Sequence, residues 1–275
     1  MGQFKMSHSN HHDWIRTAPE SNRFERIEAF FNDHAYEPHR HDTYAIGRTL
    51  SGVQSFHYRG VKQHSQQGMT MVIHPDEKHD GEAGSINGFR YRMVYIEPAR
   101  IQSILKGKPL PFIQNGVSTD PRLFKATENF LQSIENHMEI FEEEDALYDL
   151  AMALSDIALP YTKSRLSFDY KSAEQAREFI HAVSEQNISL NDLEKNIGRD
   201  RWSLSRDFRL LFGTSPHRYL TMRRLEKVKT DLIQGTSLVE AATNAGFYDQ
   251  SHMTRHFKQA FGINPAHWKQ MNHLF

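Results

Sequence analysis

Three histidines, His39, His41 and His79, have the residue type and spacing best suited to grip an ion or orient a small molecule. In an extended segment residues two apart share a face, so His39 and His41 can chelate together. They sit in EPHRHDTYAIG, Glu37 to Gly47, and His79 in GMTMVIHPDEKHDG, Gly68 to Gly81. Tyr44, Arg90, Tyr91, Arg92 and Tyr95 are the other candidates for orienting a ligand. Strand alternation admits only one of each adjacent pair to an interior. An arginine fork there would suit a carboxylate, bonded bidentately; turned outward, both arginines would cap the sheet. His8, His11 and His12 could also bind a metal, but read as an arm. With no cysteine in 275 residues, thiolate metal sites, thiol nucleophiles and a disulfide framework are excluded, which suits a reducing compartment.

A second kind of chemistry is spelled twice. FRLLFGTSPHRY, Phe208 to Tyr219, and FKQAFGINPAHW, Phe257 to Trp268, superimpose with an offset of 49 residues. Phenylalanines four apart share a helix face, a glycine then supplies the left-handed cap, and Ser215 or Asn264 caps a new helix opened by proline. Upstream, Leu190, Leu193, Ile197 and Gly198 answer to Leu238, Ala241, Ala245 and Gly246. Each copy is therefore a short helix, a glycine-containing turn and a second helix, the helix-turn-helix arrangement. The second turn carries one extra residue. A continuous amphipathic helix, Pro216 to Gln234 with Leu225, Val228 and Leu232 inward, bridges the copies.

In such units the second helix enters the DNA major groove. With Leu204, Phe208 and Leu211 facing in, the first unit leaves Arg201, Trp202, Ser205, Arg206 and Arg209 at the surface. With Met253, Phe257 and Phe261 facing in, the second leaves Gln250, Ser251, Thr254, Arg255 and Lys258. Arginine bonds guanine or phosphate, serine bonds either target, and tryptophan offers apolar contact to a thymine methyl or sugar. Ordinary solvated faces would look the same one residue at a time, and Arg206 and Arg255, at equivalent repeat positions, could equally brace the units as salt-bridge partners.

The elements that must position these groups divide the chain in two. Thr43 to Leu50, Gln54 to Tyr58, Met69 to His74 and Gly88 to Ile96 are short apolar or alternating runs between turn signals, predicting an antiparallel barrel or sandwich. Asp120-Pro121 opens a helical pattern through Ile134, and Ala146 to Leu154 a second. The polar stretch from Tyr161 to Lys171 reads as a linker, giving domains 1–160 and 172–275 around 161–171. Net charge is only −1, but 15 Lys and Arg against 11 Asp and Glu follow from Lys171 onward, with 18 against 23 before it. No membrane span or secretory signal is recognisable, so a cytoplasmic location is expected.

Gly246 to Lys258, GFYDQSHMTRHFK, followed by FGINPAHW, resembles the signature of the AraC/XylS family of bacterial transcription regulators. The resemblance covers roughly the last hundred residues. It implies seven helices with two helix-turn-helix units flanking a long helix, and base contacts from Trp202, Ser205, Arg206, Gln250, Ser251, Thr254 and Arg255. The histidine spacing resembles a cupin barrel, in which two such histidines, a glutamate and a later histidine hold a metal; here Thr43 to Arg48 contain no carboxylate, and Asp42 should point away. Regulators of this family commonly use such a barrel to bind a small effector.

The expectation is therefore an α+β chain: an N-terminal cupin-like β-barrel with packed helices and an all-α C-terminal domain with two helix-turn-helix units. It would have no catalytic residue, no metal and no cofactor. Its partners would be double-stranded DNA, a small-molecule effector, a second copy through Asp120 to Pro160, and RNA polymerase, with no membrane. The competing readings are a metal-dependent cupin enzyme fused to a helical module, and a constitutive DNA binder with a purely structural barrel.

Overall fold

A computed structural model describes residues 12–19, 24–131, 134–158, 168–186 and 188–272. Its strands are β1 (Trp14–Thr17), β2 (Glu25–Phe31), β3 (His34–His39), β4 (Tyr44–Gly52), β5 (Gln54–Tyr58), β6 (Val61–Ser65), β7 (Thr70–Ile73), β8 (His79–Ala83), β9 (Phe89–Ile96) and β10 (Val117–Ser118). They pair antiparallel into one sheet of order β1-β2-β9-β4-β7-β10 and another of order β3-β8-β5-β6. The smaller sheet closes over the larger.

Alternation along β9 assigns each side chain. Phe89, Tyr91 and Met93 enter the barrel core, whereas Val94 and Ile96 face the helices outside. Those helices are α1 (Pro98–Leu105), α2 (Pro121–Leu131) and α3 (Ile140–Ile157). Ile101, Leu123, Phe130, Leu150 and Leu154, all fully buried, cover Tyr44, Ile46 and Val72 of the large sheet. Each such side chain contributes about 1.5–3 kcal/mol relative to exposure.

The remaining described residues are helical: α4 (Tyr170–Ala182), α5 (Leu190–Ile197), α6 (Arg201–Phe212), α7 (Pro216–Ile233), α8 (Leu238–Asn244), α9 (Gln250–Phe261) and α10 (Pro265–Asn272). The sequence repeat is a repeat of packing. Phe208 and Phe212 meet edge-on at 4.8 Å and 63°, Phe257 and Phe261 at 4.6 Å and 62°. Tyr219 then packs on Phe208 at 5.6 Å, as Trp268 does on Phe257 at 5.9 Å. Gly213 and Gly262 end α6 and α9 at φ of 71° and 73°, where a side chain would be strained.

The two halves are packed together. Met222, Leu225, Val228, Leu232, Phe257 and Trp268 share one hydrophobic cluster with the barrel interior, while α4, α5 and α6 build a separate core around Phe208 and Phe212. Helix α7 is pinned to the barrel by Arg218 to Asp76, Arg223 to Asp42 and Glu97, and Lys229 to Glu25.

The α+β architecture matches the expectation. Strands β1, β2, β3, β6, β8 and β10 and helix α1 lie where no element was expected. Helix α4 begins at Tyr170, inside the expected linker; residues 161–167 of that stretch, like His8 and His11, lie outside the described residues.

Candidate functional site: two reading helices and a cavity between the domains

Helices α6 and α9 start alike. Asp200 accepts from the Trp202 and Ser203 amides, and Asp249 from His252, so each helix N-terminus is capped. Trp202, the second residue of α6, is 76% exposed. Arg201 is exposed and 3.4 Å from Glu194. On α9, Ser251, Arg255 and Lys258 are exposed and Gln250 and Thr254 half-buried.

Two of these side chains differ from the simple outward reading. Ser205 is buried, because Arg209 folds back and donates to its carbonyl and to its Oγ at 2.6 Å. Arg206 donates to Asp207 Oδ1 at 3.0 Å, and the fully buried Asp207 also takes Arg199 and the Asp169 amide. Arg206 thus has the bracing role open to it; its counterpart Arg255 makes no ion pair among the described residues. Sequence reasoning passed over Tyr248, which stands 93% exposed in the turn before α9. Its signal was the extra residue in that turn.

The second site is a cavity of about 100 Å³ where the barrel mouth meets the helical domain. His39, His41, His79, Tyr91 and Tyr95 line it; Tyr44, Arg90 and Arg92 do not. Tyr44 faces the outer helices and donates to the Pro111 carbonyl at 2.9 Å. Arg90 and Arg92 both donate to Glu28, each from Nε at 2.6 Å. Burial would raise the Glu28 carboxyl, but hydrogen bonds from Arg92 and Arg90 outweigh it and hold the group below its ordinary value. Both arginines are therefore committed on the outer face.

The three histidines come together. Their ring centroids lie 4.2 Å (His39 to His79), 4.9 Å (His41 to His79) and 6.0 Å (His39 to His41) apart. Burial pushes all three below their ordinary value, His79 to about 4, so each ring is neutral at pH 7. Beside them the Tyr36 and Tyr91 hydroxyls meet at 3.0 Å. The helical domain supplies Met222, Glu226, Lys229, Phe261 and Trp268 to the same cavity. Buried Lys229 donates to Glu25 at 2.7 Å and lies 3.4 Å from Glu226. Burial would lower its pKa, but Glu226 and Glu25 hold it above the ordinary lysine value. No sequence signal marks Lys229, since a lone lysine on an amphipathic helix is usually solvated.

A lined cavity in a barrel joined to two capped helix-turn-helix units defines a class, the ligand-binding DNA regulators. Residues 22–152 match the AraC-like ligand-binding domain and residues 193–271 a helix-turn-helix domain. The chain belongs to the AraC family of DNA-binding transcription regulators. It is 37% identical over 76 residues to the uncharacterized HTH-type transcriptional regulator YbfI of Bacillus subtilis, a match spanning 28% of each chain. It is 26% identical to the multiple antibiotic resistance protein MarA of Escherichia coli over 40% of this chain and 87% of that one. Its fold is similar to that of ToxT from Vibrio cholerae, with a TM-score of 0.64 at 12% identity, covering 93% of this chain and 100% of that one. Among the described residues no helix is long and apolar enough to cross a membrane.

Proposed function

We propose that the chain is an effector-controlled, sequence-specific transcription regulator. Both helix-turn-helix units read DNA, through Trp202, Gln250, Ser251, Thr254 and Arg255, with Arg201, Arg209 and Lys258 on phosphates and Ser205 and Arg206 bracing the first unit. The observation that carries the control is that the cavity is lined jointly by the barrel and by α7, α9 and α10. A molecule bound there contacts both domains at once, and its differential affinity for docked and undocked arrangements shifts their populations.

The chemistry of the lining supports an effector with an apolar body and a hydrogen-bonding end. Ile27, Phe56, Met71 and Met93 face tyrosine hydroxyls and neutral imidazoles. One ToxT structure holds an unsaturated fatty acid. In this cavity Lys229 already has two carboxylate partners, so a direct carboxylate salt bridge would have to displace Glu25 or Glu226. That argues against the carboxylate effector read from Arg90 and Arg92.

Phe141, Tyr148 and Met152 form an exposed apolar stripe along one face of α3, which supports a homodimer through this helix. Contact with RNA polymerase and a cytoplasmic location follow from a transcriptional role. The relatives, being regulators, support a non-enzymatic barrel.

The test is selection of binding sites from random duplex DNA by the purified chain at physiological salt. Two enriched blocks about 10 base pairs apart between centres are expected. No enrichment by a folded chain would remove the DNA reading, and a single block would leave one unit as a positioning element.

A further inference from the structure

The geometry points to a divalent transition-metal ion held by His39, His41 and His79 at the junction between the barrel and the second reading helix. One nitrogen from each ring lies within 4.8 Å of the other two. Which nitrogen is settled by the backbone. Each Nδ1 sits beside a carbonyl two residues away, which can only accept: His39 to Glu37 at 2.8 Å, His41 to Thr43 at 2.9 Å, and His79 to Glu77 at 3.0 Å. Each Nδ1 therefore carries the proton, and each Nε2 offers a lone pair. A carbonyl that fixes the tautomer and aims the ring is the usual support of a ligating histidine.

The pocket has a need that an ion would meet. His41 Nε2 is buried with no hydrogen-bond partner among the described residues. Three lone pairs facing one another in a buried site repel, and a cation satisfies them together. Imidazoles without thiolates select ions such as zinc, nickel, cobalt or iron(II). At about 2.0–2.1 Å per bond, the nitrogens need close by only an ångström or so through small ring rotations. Three protein ligands would leave a coordination position, and all three histidines line the cavity. No carboxylate joins the set, since Asp42 is turned to Arg223. The ion keeps its full charge, which favours an anion or hydroxide as the fourth ligand.

This site touches the DNA-binding domain directly. A Cβ on Gly262, the C-cap of α9, would stand 2.9 Å from His39 Nδ1 and 2.8 Å from the Glu37 carbonyl. The Arg40 amide donates to the Gln259 carbonyl at 3.0 Å, so β3 and the end of α9 are already joined. Drawing His39 inward moves the strand against which α9 is seated. This coupling rests on the regulator reading; the ion binding does not.

The experiment is zinc titration of the metal-stripped full chain, with stoichiometry read by elemental analysis and geometry by the visible spectrum of the cobalt form. One ion per chain is expected, with cobalt bands of nitrogen and oxygen ligation. His79→Gln and His41→Gln, each checked for a cooperative melt, should weaken binding by at least roughly tenfold, whereas a chain with His8, His11 and His12 changed to Ala keeps its ion. An ion that persists in the folded variants sits elsewhere, the His252 and His256 pair being the rival, and overturns the assignment. Absence of binding by the wild-type chain overturns it too, without needing any variant. Metal binding without selective DNA binding would leave the site standing and remove the regulator reading instead.

Discussion

Arg223 Nη2 meets Asp42 Oδ2 at 3.0 Å across the boundary between the domains, with Asp42 buried and Arg223 largely so. Burial pushes the Asp42 carboxyl up to about 6 even with this partner beside it, and Asp42 and Glu97 together hold the Arg223 guanidinium above its ordinary value against burial. The pair is thus a joint that depends on both members. Arg223→Met leaves Asp42 buried without a counterion, and should lower stability at pH 7 by about 3–5 kcal/mol. Urea midpoints measure the loss, and protease cleavage between the domains measures undocking. Adding Asp42→Asn should recover much of the loss; a cost below about 1 kcal/mol for Arg223→Met would mean that water or Glu97 replaces the joint.

Trp202 has the opposite character. At 76% exposure nothing in the fold depends on it, so Trp202→Ala should change stability by less than about 0.5 kcal/mol. Its effect should fall on DNA, at about 1–3 kcal/mol and confined to particular base positions of the selected site. Gln250→Ala should act likewise in the second unit. Uniform weakening at every position would reassign both to backbone contact, and no weakening would mean that DNA lies on another face.

The helical repeat was legible because every part of it is local. Caps, left-handed glycines and phenylalanines four apart act within one turn of chain, and both copies fold as their residues dictate. The strands were half legible for the same reason. β9 alternates cleanly, but β2 carries Arg26 and Glu28 as buried polar residues, β6 (VKQHS) is a mostly polar edge, and β8 (HDGEA) holds glycine and aspartate, which strands disfavour. The cavity was the least legible feature. Tyr91 and Tyr95 could be placed by alternation, but Lys229, Phe261 and Trp268 reach it from about two hundred residues downstream of His39 and His41. No local pattern encodes that meeting.

Glycine substitutions separate helix capping from domain docking. Gly198 and Gly262 both adopt left-handed φ, at 72° and 73°, but a Cβ on Gly198 meets nothing within 4 Å. Gly198→Ala should cost about 1–2 kcal/mol of local strain. Gly262→Ala adds a clash with the Glu37 carbonyl at 2.8 Å, and should cost a further 1–3 kcal/mol, on the order of other overpacking changes. Protease cleavage between the domains should rise only in Gly262→Ala. Equal costs for the two would mean that α9 yields to the barrel without undocking.

His74 makes the barrel acid-sensitive. Its ring is buried, with Nδ1 2.7 Å from the Tyr58 hydroxyl and Nε2 accepting from the Ile113 amide at 3.0 Å. Burial lowers its pKa from 6.5 to about 4, outweighing the Pro111 carbonyl nearby. A second proton would have to enter at Nε2, where it faces the Ile113 donor. Between those two values the unfolded chain binds the proton and the folded chain does not, so stability falls as pH drops through this window. Above pH 6.5 the group contributes nothing. The loss should reach roughly 2 kcal/mol by pH 5 and about 3 kcal/mol near pH 4. Urea midpoints at pH 7.5, 6 and 5 should therefore decline more steeply for the wild-type chain than for His74→Gln, which cannot titrate. Parallel declines would show that other groups, such as His256, carry the acid sensitivity, because burial and His252 hold that ring to about 4 as well.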